Sequence, residues 1–138
     1  MTAQGLPKKE RVRKESVISA LFAKNNLSLS APPFRFTWVI LEPNAVSCQV
    51  LVVSSKKKLK KAVDRNRQKR QLRELYRINK NNLLAPLLQI KVSIALSVIY
   101  TGVEPIDVNK QTPQFIKALQ KIALAVQKNH TIPVHPAH

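Results

Sequence analysis

Residues 56–80 limit the possible folds more than any other part of this chain. They hold 12 of its 24 lysines and arginines, with only Asp64 and Glu74 as acids. The segment contains neither glycine nor proline and is rich in Arg, Lys, Leu and Gln, so a helix is predicted over Leu59–Lys80. At 3.6 residues per turn Asn66, Arg70, Arg73 and Arg77 share one face, and Leu72, Leu75 and Tyr76 point the opposite way. Such a helix docks its apolar side on a core and leaves its guanidiniums in water. A free basic tail does not fit that pattern, and a layered domain does.

The flanking sequence supplies the layer. Val17, Ile18, Leu21 and Phe22 fall on one face of a helix expected over Glu15–Lys24, with Ser16 a candidate cap. Asn25–Pro33 is polar, ends in two prolines and reads as a loop. Phe34, Phe36, Trp38 and Ile40 alternate along one strand, and Val46, Cys48, Val50 and Val52 along the next. Glu42-Pro43-Asn44 between them is turn chemistry, which predicts an antiparallel pair. Ile90 to Tyr100 alternates as a third strand. Thr112-Pro113 reads as the start of a last helix, whose buried stripe is Phe115, Leu119, Ile122 and Val126. The order is α-β-β-α-β-α, an α+β sandwich of helices on a sheet. One domain is expected over residues 1–128, followed by a loose tail, 129–138.

Composition narrows the function. The 138 residues carry a net charge of +17, far above the roughly 2–8 that keeps a small domain soluble. A polyanionic partner is the natural counterweight. Cys48 is the only cysteine, so no intramolecular disulfide can form, and its apolar setting reads as core. The first twenty residues lack the apolar stretch of a signal peptide. The longest nearly apolar run, Val92 to Tyr100, is too short to span a bilayer. A cytoplasmic protein without a membrane partner is expected. Only Gly5 and Gly102 are glycines, which excludes a glycine-rich phosphate loop.

RNA suits the basic face. Arginine can hold a phosphate in a planar fork and stack on a base. Asn66 offers both a donor and an acceptor within a cationic stripe. Most of the charge is uncompensated, with Arg70–Glu74 the favourable pair at i, i+4 spacing. A nuclease acting by itself would need clustered carboxylates or a histidine pair. Asp64 and Glu74 lie ~15 Å apart along the predicted helix, and His130, His135 and His138 sit in the proline-containing tail. Insertion of the helix into a DNA major groove is a further alternative, but a strand rather than a helix-turn-helix precedes it. A ribosomal or other structural RNA-binding protein also fits the charge.

The order of the basic residues favours one family. Arg65-Asn66-Arg67, then Lys69-Arg70, two variable positions and Arg73-Glu74 resemble the signature of the bacterial ribonuclease P protein subunit. Leu6 to Lys14 is similar to that family's N-terminal segment, and the elements follow in the family's order. The resemblance implies a central mixed sheet with a left-handed crossover, a fold shared with a ribosomal-protein domain, whereas general topology rules favour the opposite hand. Two positions depart from the pattern. Lys60 stands where many members have glycine, and Ile18 where many carry an aromatic.

The resemblance further implies a non-catalytic protein subunit of an endoribonuclease. Its RNA partner, with magnesium held mainly by RNA, removes the 5′ leader of precursor tRNA, and no obligate protein partner is implied. Carried over residue by residue, the contacts to the RNA subunit are Lys57, Lys58, Lys61, Arg65, Asn66, Arg67, Lys69, Arg70, Arg73 and Arg77. The leader site comprises Phe22, Phe34, Phe36 and Trp38 with Lys8, Arg11 and Arg13, and Trp38 is its leading stacking platform. Aromatic faces suit single strands because every base has a π-face. The same aromatic stripe would serve equally well as core.

Overall fold

The computed structural model describes residues 6–23, 27–54, 60–102 and 104–129. After a short 3-10 turn at Lys8–Glu10, the elements are α1 (Glu15–Leu21), β1 (Leu27–Ala31), β2 (Phe34–Leu41), β3 (Cys48–Val53), α2 (Ala62–Asn79), α3 (Asn81–Ile90), β4 (Ser93–Tyr100) and α4 (Val108–Asn129). The four strands form one mixed sheet in the order β1-β2-β4-β3. The α+β class and the helix-on-sheet layering follow the sequence reading. Expectations for residues 55–59 and for the His-containing tail beyond 129 lie outside the described residues.

The strand neighbours differ from expectation. β2 and β3 are not paired, because β4 lies between them, antiparallel to β2 and parallel to β3. The β2–β3 turn is real but spans two non-adjacent strands. Asn44 Oδ1 accepts from the Val46 N–H at 2.8 Å, and the Asn44 N–H donates to Ser93 Oγ of β4 at 3.1 Å. β4 takes the centre because seven of its eight residues are buried, so only a position covered on both faces satisfies it. Parallel pairing of β3 with β4 requires a crossover, which α2 and α3 supply.

Two elements were missed. Leu27, Leu29 and Ala31 alternate with Ser28 and Ser30 as edge strand β1, antiparallel to β2. The serines and the Pro32-Pro33 corner mask this period-two pattern as a loop. α3 contains Pro86 and ends at Lys91, whose left-handed backbone (φ 57°) stops the helix before β4. Two further boundaries shift. α1 stops at Leu21 and begins after Lys14 without a side-chain cap. α4 starts at Val108, ahead of Thr112-Pro113, because Asp107 Oδ1 accepts from the Lys110 N–H at 3.1 Å and caps it.

The sheet's inner face carries the main core. Phe34, Phe36, Trp38, Ile40, Cys48, Val50, Val52, Ile94, Leu96 and Val98 pack there against Leu72, Leu75 and Tyr76 of α2, Leu83 and Leu87 of α3, and the α4 stripe. Phe34, Phe36 and Phe115 form a ring cluster with centroids 5.3–6.2 Å apart. Each fully buried side chain of this size contributes roughly 1.5–3 kcal/mol. The outer face has a smaller cluster, in which α1 sets Val17 and Leu21 against Val39, Leu41 and Ala95.

Candidate nucleic-acid interface

α2 separates apolar and basic residues as its periodicity requires. Leu72, Leu75 and Tyr76 are fully buried, whereas Lys61, Asn66, Arg67 and Arg70 are exposed and Arg65, Lys69, Arg73 and Arg77 are half-buried. The helix begins at Ala62, after Lys61 in extended conformation, and Asp64 lies in its first turn near the positive end of the dipole. Gln68 Oε1 accepts from Ser54 Oγ at 2.8 Å, which fixes the helix against the end of β3. Lys57 and Lys58 lie outside the described residues.

The charges are not spread evenly along this face. Glu74 pairs with Arg77, not with Arg70 as the spacing suggested. Arg77 Nε and Nη2 each donate to its carboxylate at 2.7 Å, and this fork holds the Glu74 carboxyl below its ordinary value. Arg11, Arg67, Arg70 and Arg73 line a cavity of about 520 Å³, together with Gln71, Val108 and one carboxylate, Glu74, which Arg77 engages. Burial, and then the charge of Arg11, push the Arg73 guanidinium below its ordinary value. Arg11 Nε is buried with no hydrogen-bond partner among the described residues. Two guanidiniums are thus held together in partial burial, an arrangement that favours an anion between or beside them.

Arg11 also belongs to a second basic surface. Its backbone bridges to Val50 of β3, and the Val12 N–H donates to Val50 O at 3.0 Å. The N-terminal segment therefore covers the β3 edge. Lys8, Lys9, Arg11, Arg13 and Lys14 line a groove of about 500 Å³ beside the β2–β3 turn, and no carboxylate lines it. Arg11 lines both this groove and the α2 cavity, so the two basic surfaces of the track meet at that one side chain. The sequence offered both halves of the track but no sign that they meet.

The aromatic expectation is corrected. Phe34 and Phe36 are 0% exposed and Trp38 is 3% exposed, all within the inner core. Their strand face meets α2, α3 and α4, so none of the three can stack on an incoming base. Phe22 differs: it directly follows α1 and is 51% exposed. The outward face of β2 instead carries Arg35, Thr37 and Val39. Register sets Arg35 in a row with Ile99 and Val53 that α1 does not reach. Arg35 is exposed, and Ile99 and Val53 are half-buried. These residues were passed over because the large aromatics between them drew the strand's signal. The alternation itself pointed to them.

Among the described residues no three carboxylate, imidazole or thiol groups come together as a metal site. No helix there is long and apolar enough to cross a membrane. Cys48 is buried, as its apolar setting suggested.

Comparison with known proteins agrees with this geometry. The family model Ribonuclease P matches residues 6–123. A Ribonuclease P protein component from Porphyromonas gingivalis is 32% identical over 129 residues, covering 91% of this chain and 88% of the relative. One from Marinobacter nauticus is 37% identical over 78 residues, covering 56% and 58%. Among solved structures, the RNase P protein from Thermotoga maritima superposes with a TM-score of 0.62 at 22% identity, covering 81% of this chain and 96% of that one. The Staphylococcus aureus RNase P protein does so at 0.59 and 21%, covering 83% and 94%. At that identity the structures speak for the fold alone, while the family model spans most of the chain from the N-terminal basic segment through α2 and into α4. The chain belongs to the ribonuclease P protein component family, the protein part of the endoribonuclease that processes tRNA.

Proposed function

We propose that this chain binds a ribonuclease P RNA through the basic track of α2 and Arg11 and holds the 5′ leader of precursor tRNA on the outer sheet face. The RNA subunit carries the chemistry. The proposed contacts to it are Lys57, Lys58, Lys61, Arg65, Asn66, Arg67, Lys69, Arg70 and Arg73, with Arg77 a weaker one because Glu74 engages it. Magnesium in the complex is assigned to the RNA. The single observation that carries this reading is that α2 buries its apolar stripe and turns Asn66, Arg67 and Arg70 to solvent beside Arg11.

The leader platform is Phe22 with the Arg35, Ile99 and Val53 row, and Lys8, Arg11 and Arg13, also assigned to the leader, line the groove at the other end of α1 beside the β2–β3 turn. Stacking on Phe22 would contribute ~1–3 kcal/mol per base, and Arg35 supplies a charge for a phosphate. Reconstitution tests the assignment. Added to a bacterial ribonuclease P RNA at low magnesium, the chain is expected to stimulate precursor-tRNA cleavage, and alone it is expected to cleave nothing. No stimulation would reduce the chain to a structural RNA binder. Cleavage without RNA would move the chemistry onto the protein.

A further inference from the structure

Among the described residues the outer face of the sheet has a half that α1 covers and a half that α1 leaves open, and a hydroxyl pair marks the border. Register places Val39, Ala95 and Gln49 in one row, Thr37, Ser97 and Leu51 in the next, and Arg35, Ile99 and Val53 in the third. α1 covers the first row and ends over the second. There Thr37 Oγ1 donates to the carbonyl of Leu21, the last residue of α1, at 2.9 Å. Ser97 Oγ lies 2.5 Å from Thr37 Oγ1 and also accepts from the Thr37 N–H at 3.3 Å. Both side chains are buried, Ser97 completely.

A hydroxyl has one proton to give. Thr37 gives its proton to Leu21, so Ser97 must be the donor within the hydroxyl pair. The chain of donation runs from Ser97 to Thr37 to the helix end. The last carbonyls of a helix lack intrahelical partners. Here a side chain of the sheet, not water, satisfies one of them. Phe22 is the next residue, and its N–H donates to Ser19 O at 3.2 Å. Its backbone is therefore held at the edge of the open row.

We infer that Thr37 and Ser97 are positioning residues for leader recognition: they fix the end of α1, and with it Phe22, against the open half of the outer face. This inference rests on the leader site proposed above. Loss of the Thr37 hydroxyl leaves the Leu21 carbonyl buried without a partner, which frees the helix end to move. Discrimination between precursor and mature tRNA then falls while the α2 track is untouched.

The test uses the holoenzyme reconstituted with a bacterial ribonuclease P RNA. Dissociation constants are measured for precursor tRNA, mature tRNA and the RNA subunit, with Thr37→Val, Thr37→Ser, Ser97→Ala and Phe22→Ala. Thr37→Val should weaken precursor binding about five- to tenfold, the scale of one buried hydrogen bond. Mature tRNA and RNA-subunit affinities should hold. Thr37→Ser, which keeps the hydroxyl, should restore the precursor affinity. Ser97→Ala should give a smaller loss in the same direction, and it decides the matter if Thr37→Val does not fold. Full discrimination in a folded Thr37→Val, or in Ser97→Ala where that variant decides, overturns the inference. If Phe22→Ala loses discrimination while the hydroxyl variants keep it, only the positioning role is lost. If Phe22→Ala also keeps it, the leader site itself is misplaced.

Discussion

Glu10 and Lys80 form an ion pair across seventy residues of chain, with Nζ and Oε1 2.8 Å apart. Lys80 lies just past the end of α2 and Glu10 in the turn that precedes Arg11. The pair clasps the N-terminal segment to α2 and so helps to hold Arg11 in the α2 cavity. The Lys80 and Glu10 side chains are 26% and 13% exposed, respectively, so solvent screens the attraction only in part.

That clasp should be measurable. A double-mutant cycle with Glu10→Gln and Lys80→Met is expected to give a coupling of about 1 kcal/mol, at the upper end for exposed pairs. Both single variants should also weaken RNA-subunit binding slightly, because Arg11 loses its anchor. A coupling of zero by denaturant unfolding would show that the pair does not restrain the segment.

The basic track predicts a ranking. Arg67→Ala and Arg70→Ala should each lower the salt slope of RNA-subunit binding by about one, the signature of a lost phosphate contact. Arg77→Ala should lower it less, since Glu74 already engages that guanidinium through two hydrogen bonds. Binding titrations across salt concentrations separate the cases. Equal slopes for Arg70→Ala and Arg77→Ala would contradict the ranking.

How far the sequence could be read depended on whether a signal was local. The amphipathic split of α2 was legible because Leu72, Leu75 and Tyr76 sit opposite Asn66, Arg70 and Arg73 within a single helix. The α4 stripe was legible for the same reason. Strand adjacency was not, because the insertion of β4 between β2 and β3 is a long-range fact that Glu42-Pro43-Asn44 cannot encode. The side of the sheet on which a binding surface lies was equally hidden. Phe34, Phe36 and Trp38 announce an aromatic face, but only the packing of three helices against it reveals that face as core. The meeting of Arg11 with Arg73 depends on Val12 pairing with Val50, which no periodicity announces.

The two classes of aromatic residue should separate cleanly. Trp38→Ala removes a buried indole and should cost ~3–5 kcal/mol, enough to unfold much of a domain of ordinary stability. Its losses should therefore be equal for precursor and mature tRNA. Phe22→Ala should leave the thermal midpoint nearly unchanged and weaken precursor alone. A stable Trp38→Ala variant with a leader-specific defect would reverse the assignment.

The crowding of Arg11 and Arg73 predicts a trade between stability and binding. Arg11→Met keeps the aliphatic stem and removes the charge that, after burial, lowers Arg73. The free protein should melt slightly higher at low salt, a small gain because Arg73 is partly exposed and solvent screens the repulsion. The gain should shrink as salt screens the repulsion. RNA-subunit affinity should fall at the same time. A lower midpoint at all salt concentrations would show that Arg11 stabilises the free fold.

Cys48 gives a pH prediction with a defined sign. Burial pushes its thiol up to about 12 from an ordinary value of 9.0, and burial likewise raises the neighbouring Tyr76 phenol. Above pH ~9 the unfolded chain releases the thiol proton while the folded chain retains it, so the folded state binds more protons and stability must fall as pH rises. The contribution is fully present below the unfolded value and is lost progressively toward about 12. Denaturant unfolding of the parent should therefore show declining stability across that window. Cys48→Ala should show a shallower decline, whatever its cost in packing, with the remaining slope due in part to Tyr76. The folded thiol should also resist alkylation at pH 8 until the chain is unfolded, because the thiolate is the reactive form. Rapid alkylation of the native protein, or identical pH slopes for parent and variant, would place Cys48 outside the buried environment that β3 and α2 build around it.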